Sequence, residues 1–270
     1  MNAALFDYRS IPVHIIRRLF CGVIVWISVW TGTYSYADLI HQYRLDGTFA
    51  DDLGGAPLVS GGGSLGPTGY TFAASQGLSF VSGLADPGNY SIETIFHFNE
   101  LTGYRKIIDF KDLTVDTGLY NISTQLTYYG GGAAGAPGSF SPGVDVRLIV
   151  TRDSATNVFT AYINGNYILD FTDSSNLALA NGPSNIIHFF MDDIATGGNE
   201  AAPGFVDLIR FYNAPLSAAE VAALGGPGAV PEPSSSLVLL FGMTCCAILK
   251  RRTRYQTDDL RPTEGDYRVC

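Results

Sequence analysis

Along residues 39–212 apolar and polar side chains alternate with a period of two rather than 3.6, the signature of strands that turn one face to a core. Leu39, His41, Tyr43 and Leu45 alternate with Ile40, Gln42 and Arg44, and Ile92, Thr94, Phe96 and Phe98 alternate with Ser91, Glu93, Ile95 and His97. Val158, Thr160 and Tyr162 alternate with Phe159 and Ala161, with Ile95 and Phe159 indicating that the second face is partly covered too. Asn164-Gly165 supplies the two positive-φ residues that a type I′ turn demands, so strands near 146–152, 157–163 and 166–172 form a meander. Further strands are predicted at 70–74, 77–81, 105–110, 117–129, 185–191 and 204–212. Ser217-Ala218-Ala219-Glu220 reads as a capping box, opening a helix whose small apolar face is Val221 and Leu224 and which stops at Gly225-Gly226. This pattern predicts an all-β fold: a two-sheet antiparallel sandwich with one short C-terminal helix.

Two apolar runs flank that region and stand apart from its fold. Arg17-Arg18, the run Leu19 to Trp30 and the small residues Ser35 and Ala37 read as a signal peptide, residues 1–37, cut after Ala37. An uncleaved anchor is the alternative, although the run is short of the about 20 residues that a spanning helix needs. Residues 225–236 are a Gly/Pro/Ser-rich linker, residues 237–252 an apolar segment closed by Lys250-Arg251-Arg252, and residues 253–270 a polar tail. Basic residues at the end of an apolar segment mark the cytoplasmic side of a membrane anchor.

Residues 38–229 hold 19 acidic and 7 basic side chains, a net charge of −12. Such a surface repels nucleic acid and anionic membranes and attracts cations. All four cysteines (Cys21, Cys245, Cys246 and Cys270) fall outside this region. It therefore has neither a disulfide framework nor cysteine-based metal chemistry.

Tyr43-Arg44-Leu45-Asp46-Gly47 near the start, the Val158 to Phe171 hairpin, and Gly204 to Asn213 leading into Leu216 to Leu224 resemble a LamG-like jelly roll of the concanavalin A-like lectin/glucanase superfamily, over nearly all of residues 38–224. The resemblance implies two curved antiparallel sheets and glycan or protein binding; it does not imply catalysis. Val230-Pro231-Glu232-Pro233, the apolar run and the basic cluster resemble the PEP-CTERM sorting signal of Gram-negative bacteria. That likeness implies export, handling by an exosortase-type sorting enzyme at Pro231, Glu232 and Pro233, and inner-membrane anchoring or release to the cell envelope or exopolysaccharide matrix. Chains with this signal usually end at the basic cluster, whereas this one runs on to Cys270.

The glucanases of the resembled superfamily place glutamates as Glu-x-Asp-x-x-Glu on one strand, because two carboxyl groups must flank the glycosidic bond. Glu93, Glu100, Glu200 and Glu220 do not have that spacing. Asp192-Asp193 read as adjacent strand residues would point to opposite faces. His41, His97 and His188 read as sheet histidines. The sequence is therefore expected to encode no enzyme, with a polysaccharide hydrolase acting through Glu93 or Glu200 as the remote alternative.

Binding is the expectation. Tyr128-Tyr129 lead into the glycine-rich run 130–135 and offer faces for a sugar ring, with Tyr104 beside Arg105-Lys106 as a second candidate. Asp192, Asp193 and Glu200 bracket a loop and form an oxygen-rich cluster able to meet a metal or a sugar hydroxyl. By the superfamily resemblance, a structural Ca²⁺ is expected at Asp207 with Asp46 as its partner. The reading is an exported glycan or exopolysaccharide binder; an inert matrix spacer is its competitor.

Overall fold

The computed structural model describes residues 37–81, 83–179 and 186–228. Residues 1–36, within the expected signal peptide, and residues from 229 onward, with Pro231, Glu232 and Pro233 of the expected sorting motif, lie outside the described residues. Among the described residues no helix is long and apolar enough to cross a membrane. The compact unit begins at Ala37.

Among the described residues fifteen strands and one helix follow in order. They are β1 (Leu39–Tyr43), β2 (Val59–Ser60), β3 (Ser64–Gly66), β4 (Gly69–Phe72), β5 (Leu78–Val81), β6 (Tyr90–Phe98), β7 (Tyr104–Asp109) and β8 (Gly118–Ile122). There follow β9 (Gln125–Tyr129), β10 (Ala133–Ala134), β11 (Val146–Asp153), β12 (Val158–Ile163), β13 (Asn166–Thr172), β14 (Ile186–Phe189), β15 (Gly204–Tyr212) and α1 (Ala218–Leu224). One sheet runs β13-β12-β11-β6-β15-β4-β3, with β1 also paired to β15; the other runs β10-β9-β8-β7-β14-β5-β2. All pairings are antiparallel, and the long crossovers between sheets give the jelly-roll sandwich that the alternation predicts.

Residues of both sheets share one core. Phe80 of β5 stacks on Phe211 of β15 at 4.2 Å between ring centroids, Phe72 on Phe190 at 4.7 Å, and Phe159 meets Tyr128 at 4.9 Å. Burying each such ring stabilises the fold by about 1.5–3 kcal/mol. On β12 the inward residues are Phe159, Ala161 and Ile163, the reverse of the facing assigned from the sequence. The cross-strand partners fix this: Ala161 and Ile163 lie opposite Val150 and Leu148 of β11, which face the core.

A second apolar cluster covers the outer side of the first sheet. Val221 of α1 packs there with Leu216, Ile149 and Tyr212, and Ala37, Leu39 and Leu224 join at the margin. The helix is fixed as its sequence predicts, with Ser217 Oγ accepting from Glu220 N and Glu220 Oε2 accepting from Ser217 N.

The Asn164-Gly165 turn has φ values of 52° and 82°, as its residues demand. The single strand predicted over 117–129 is instead the β8–β9 hairpin. Its turn, Ser123-Thr124, also has two positive φ values, 48° and 82°, in residues that give no sequence signal for them. Ser123 N donates to Gly103 O, and Thr124 N to Asn121 Oδ1.

Candidate functional site

Strands β7, β8 and β9 present Tyr104, Lys106, Tyr120 and Tyr129 on the outer face of the second sheet. Lys106 lies opposite Tyr120, and Gly118 opposite Tyr129. A register shift between Lys106 and Ile108 keeps Ile107 and Ile108 in the core while Lys106 turns outward. The segment after β14 then folds back over this face: Lys106 N donates to Glu200 O at 2.8 Å, and Ile194 N to Leu113 O at 3.1 Å.

Under that segment Lys106 is fully buried, which a lone ammonium would not tolerate. Its Nζ donates to Asp109 Oδ2 at 3.2 Å and to Asp193 Oδ2, lies 4.0 Å from Asp192 Oδ1, and sits 5.0 Å from the centre of the Tyr120 ring. The carboxylates are positioned by backbone donors. Lys111 N and Leu113 N donate to Asp109 Oδ1, Ala195 N and Thr196 N to Asp193 Oδ1, and Glu200 N to Asp192 Oδ2. Burial pushes the Asp193 carboxyl up, but the Lys106 ammonium and the Thr196 and Ala195 amides outweigh it and hold it below the ordinary range.

The balance is different at Glu200. Burial raises its carboxyl, and Asp116, Asp192 and Asp193 raise it further against Lys106 alone. Asp192 Oδ1 and Glu200 Oε2 are buried without a hydrogen-bond partner. The Tyr120 hydroxyl donates to Asp116 Oδ1 at 3.2 Å, and burial with the neighbouring Asp116 and Glu200 charges drives its phenol far up.

Beside this acidic centre lie the exposed apolar groups. Tyr104 and Tyr129 are 40% and 39% exposed, 5.9 Å apart edge to face, and both pack on Tyr120 at 6.2 and 5.9 Å. Val115 and Ile194 project from the two bordering loops at 50% and 78% exposure. Aromatic faces next to fixed carboxylate acceptors combine stacking with directional hydrogen bonding, as a polyhydroxylated ring requires.

The structure redistributes the residues singled out in the sequence. Tyr128 is no ligand platform: it is fully buried and packs against Phe171, Phe159 and Phe110. It shares the inward face with Leu126, and only Tyr129 points out. Asp192 and Asp193 do not point to opposite faces. Strand β14 ends at Phe189, Phe190 takes a positive φ of 59°, and both carboxylates come to Lys106. Glu200 joins them, as its proximity in the sequence suggested. Nothing local in the sequence marks Tyr120, Asp109 and Asp116 as site residues; the pairing Lys106–Tyr120 that gathers them is non-local.

Asp46 and Asp207 have different neighbours. Asp46 is 4.0 Å from Arg44 Nε, whereas Asp207 is acted on by Asp145. Among the described residues no group of three or more acidic, His or Cys side chains is arranged to hold a metal ion. Burial, and then Asp145, push the Asp207 carboxyl up to about 6, and its Oδ1 is buried without a partner. An acid whose folded pKa exceeds its unfolded value near 3.9 is penalised as pH rises between the two, and fully above the higher one. Asp207→Asn should therefore stabilise the fold at pH 7 by about 1 kcal/mol, after discounting for partial solvent screening, and by nothing at pH 4. Thermal melts at the two pH values check this. Ca²⁺ held at Asp207 gives the opposite result, stabilising the wild type and not the variant.

Other chemistry-bearing groups are tied into the sheets. Glu93 is fully buried, with Arg147 Nη1 at 3.1 Å, Arg210 Nη1 at 3.4 Å and the Tyr212 hydroxyl donating at 2.8 Å. Each strand histidine meets a carboxylate: His41 with Asp51, His97 with Asp145, and His188 with Asp112. His188 also bonds Ser79 Oγ through Nδ1 at 2.8 Å, a Ser-His-Asp arrangement. Ser79 and His188 are buried, Met191 Sδ lies 3.9 Å from the serine oxygen, and the bond ties β5 to β14.

Solved structures share the architecture. Domain 4 of AbnA, a GH43 extracellular arabinanase from Geobacillus stearothermophilus in complex with arabinotriose, superposes with a TM-score of 0.51 at 16% identity, over 71% of this chain and 100% of that one. Trypanosoma rangeli sialidase in complex with 2,3-difluorosialic acid does so with a TM-score of 0.52 at 13% identity, over 78% of this chain but 39% of the sialidase. These identities establish a common fold alone. No curated protein matches the sequence. Residues 72–222, more than half of the chain, match the Laminin_G_3 model, and the chain therefore belongs to this family of the concanavalin A-like lectin/glucanases superfamily.

Proposed function

We propose that the protein is an exported, non-catalytic glycan-binding module, and that its ligand lies across Tyr104 and Tyr129. The observation that carries this reading is the exposed tyrosine pair backed by Tyr120 and bordered by Asp116, Asp192 and Glu200. The arabinotriose held by the arabinanase domain of like fold supports a carbohydrate partner. Export through residues 1–37, sorting by an exosortase-type enzyme at Pro231, Glu232 and Pro233, and residence in a Gram-negative envelope or its matrix belong to the same proposal.

A glycan array followed by titration calorimetry tests the binding reading. At least one oligosaccharide should bind dose-dependently, and Tyr104→Ala or Tyr129→Ala should weaken it by ~10–100-fold, the equivalent of one lost stacking contact of about 1–3 kcal/mol. The melting temperature should stay close to that of the wild type, because both rings are exposed. An array without a single binder sinks the reading and leaves an inert spacer.

A further inference from the structure

The candidate face carries more negative charge than its own cation neutralises. Asp109, Asp116, Asp192, Asp193 and Glu200 are gathered around Lys106. Asp109 and Asp193 take the hydrogen bonds of the ammonium. Asp192 is left 4.0 Å away with Oδ1 buried and unbonded, and Glu200 Oε2 is likewise buried and unbonded. A buried carboxylate oxygen without a donor is costly, and a donor supplied by a ligand recovers that cost on binding. The carboxylates partly open to solvent are Asp116 and Glu200, on the same side as the exposed tyrosines.

We propose that the sugar taken at this face carries a free primary amine: an amino-hexose unit of a polysaccharide that is at least partly N-deacetylated. The inference rests on the glycan-binding reading and narrows it to a ligand class. The ring stacks on Tyr104 and Tyr129 while the ammonium enters between Asp116 and Glu200, with Asp192 behind them. An ammonium brings three donors and a full positive charge to a site where Asp192 Oδ1 and Glu200 Oε2 have no hydrogen-bond partner. N-acetylation removes the charge and adds bulk, and a uronic acid adds another negative charge to a site that already has an excess.

The test is calorimetry of the full chain with the β1,4-linked glucosamine trimer, its fully N-acetylated counterpart and trigalacturonate. The glucosamine trimer should bind at least ~10-fold more tightly than the acetylated one, with no heat from trigalacturonate. Asp116→Asn and Glu200→Gln should each bring the affinity ratio of the first two toward unity. Asp170→Asn, which removes an exposed carboxylate elsewhere, should leave the ratio in place and so separate the site from general attraction to an acidic domain. The wild-type preference should also shrink several-fold as salt rises to about 0.5 M, where screening shortens to a few ångströms. Equal affinity for both trimers, or a ratio that Asp170→Asn abolishes as fully as Asp116→Asn, overturns the inference. If neutral sugars bind and Tyr104→Ala removes them, the glycan reading stands while the amine requirement falls; if no oligosaccharide binds, both fall.

Discussion

Arg152→Ala is expected to lower stability by about 3–5 kcal/mol, because it strips the partner from a buried carboxylate. Arg152 is the largest fully buried side chain among the described residues and lies on the inner face of β11, at one end of the sandwich. Its Nε donates to Asp173 Oδ2 at 3.0 Å, Nη1 to Gly88 O at 2.9 Å, and Nη2 to Asn157 Oδ1 and Asn176 Oδ1 at 3.2 Å. Asp173 in turn accepts from Leu177 N and Ala178 N. One guanidinium thus joins the β12 turn, the loop before β6 and the loop after β13. Arg152→Lys should rescue little, since an ammonium lacks the planar fork that reaches these acceptors together. Urea unfolding of both variants is the check, and a loss under about 1 kcal/mol for alanine contradicts the account.

The second large effect is expected at Lys106→Met. Three buried carboxylates, Asp109, Asp192 and Asp193, lose their cation, and the cost at pH 7 should again be about 3–5 kcal/mol. The pH dependence distinguishes this from simple mispacking. In the wild type the Asp193 pKa is depressed, so its contribution is present above the unfolded value near 3.9 and is lost as pH falls through the folded value. In the variant the Asp193 carboxyl keeps only the Thr196 and Ala195 amides against its burial, so its pKa rises and protonation relieves its penalty. The difference in stability between wild type and variant should therefore narrow between pH 7 and pH 4; a constant difference argues for packing alone.

Local chemistry made part of this molecule legible. The Asn164-Gly165 turn and the Ser217 to Glu220 cap are decided by neighbours in the chain, and both form as written. Ser123-Thr124 was not legible, because a bond to the distant Gly103 carbonyl helps hold its turn. The same division runs through the candidate site. Tyr129, Asp192, Asp193 and Glu200 stand out by residue type, whereas the burial of Lys106 depends on a segment about 90 residues away folding across β7. The pairing of Asp192 with Asp193 was misread because an extended backbone was assumed where Phe190 turns it.

The β1–β15 pairing also governs how the domain yields to force. Leu39 at the start of β1 lies beside Tyr212 at the end of β15, and just beyond them Asp38 and Asn213 exchange hydrogen bonds. The outer ends of β1 and β15 therefore lie side by side, with α1 following β15 and packed over Tyr212. Tension applied through them pulls across that ladder, not along it, and breaks its hydrogen bonds singly instead of all together. Under load the α1 cluster over Tyr212 and Leu39 gives way and β1 then unzips like a peeled label, while β15 keeps its ladder with β6 and the tyrosine face on the far sheet stays assembled.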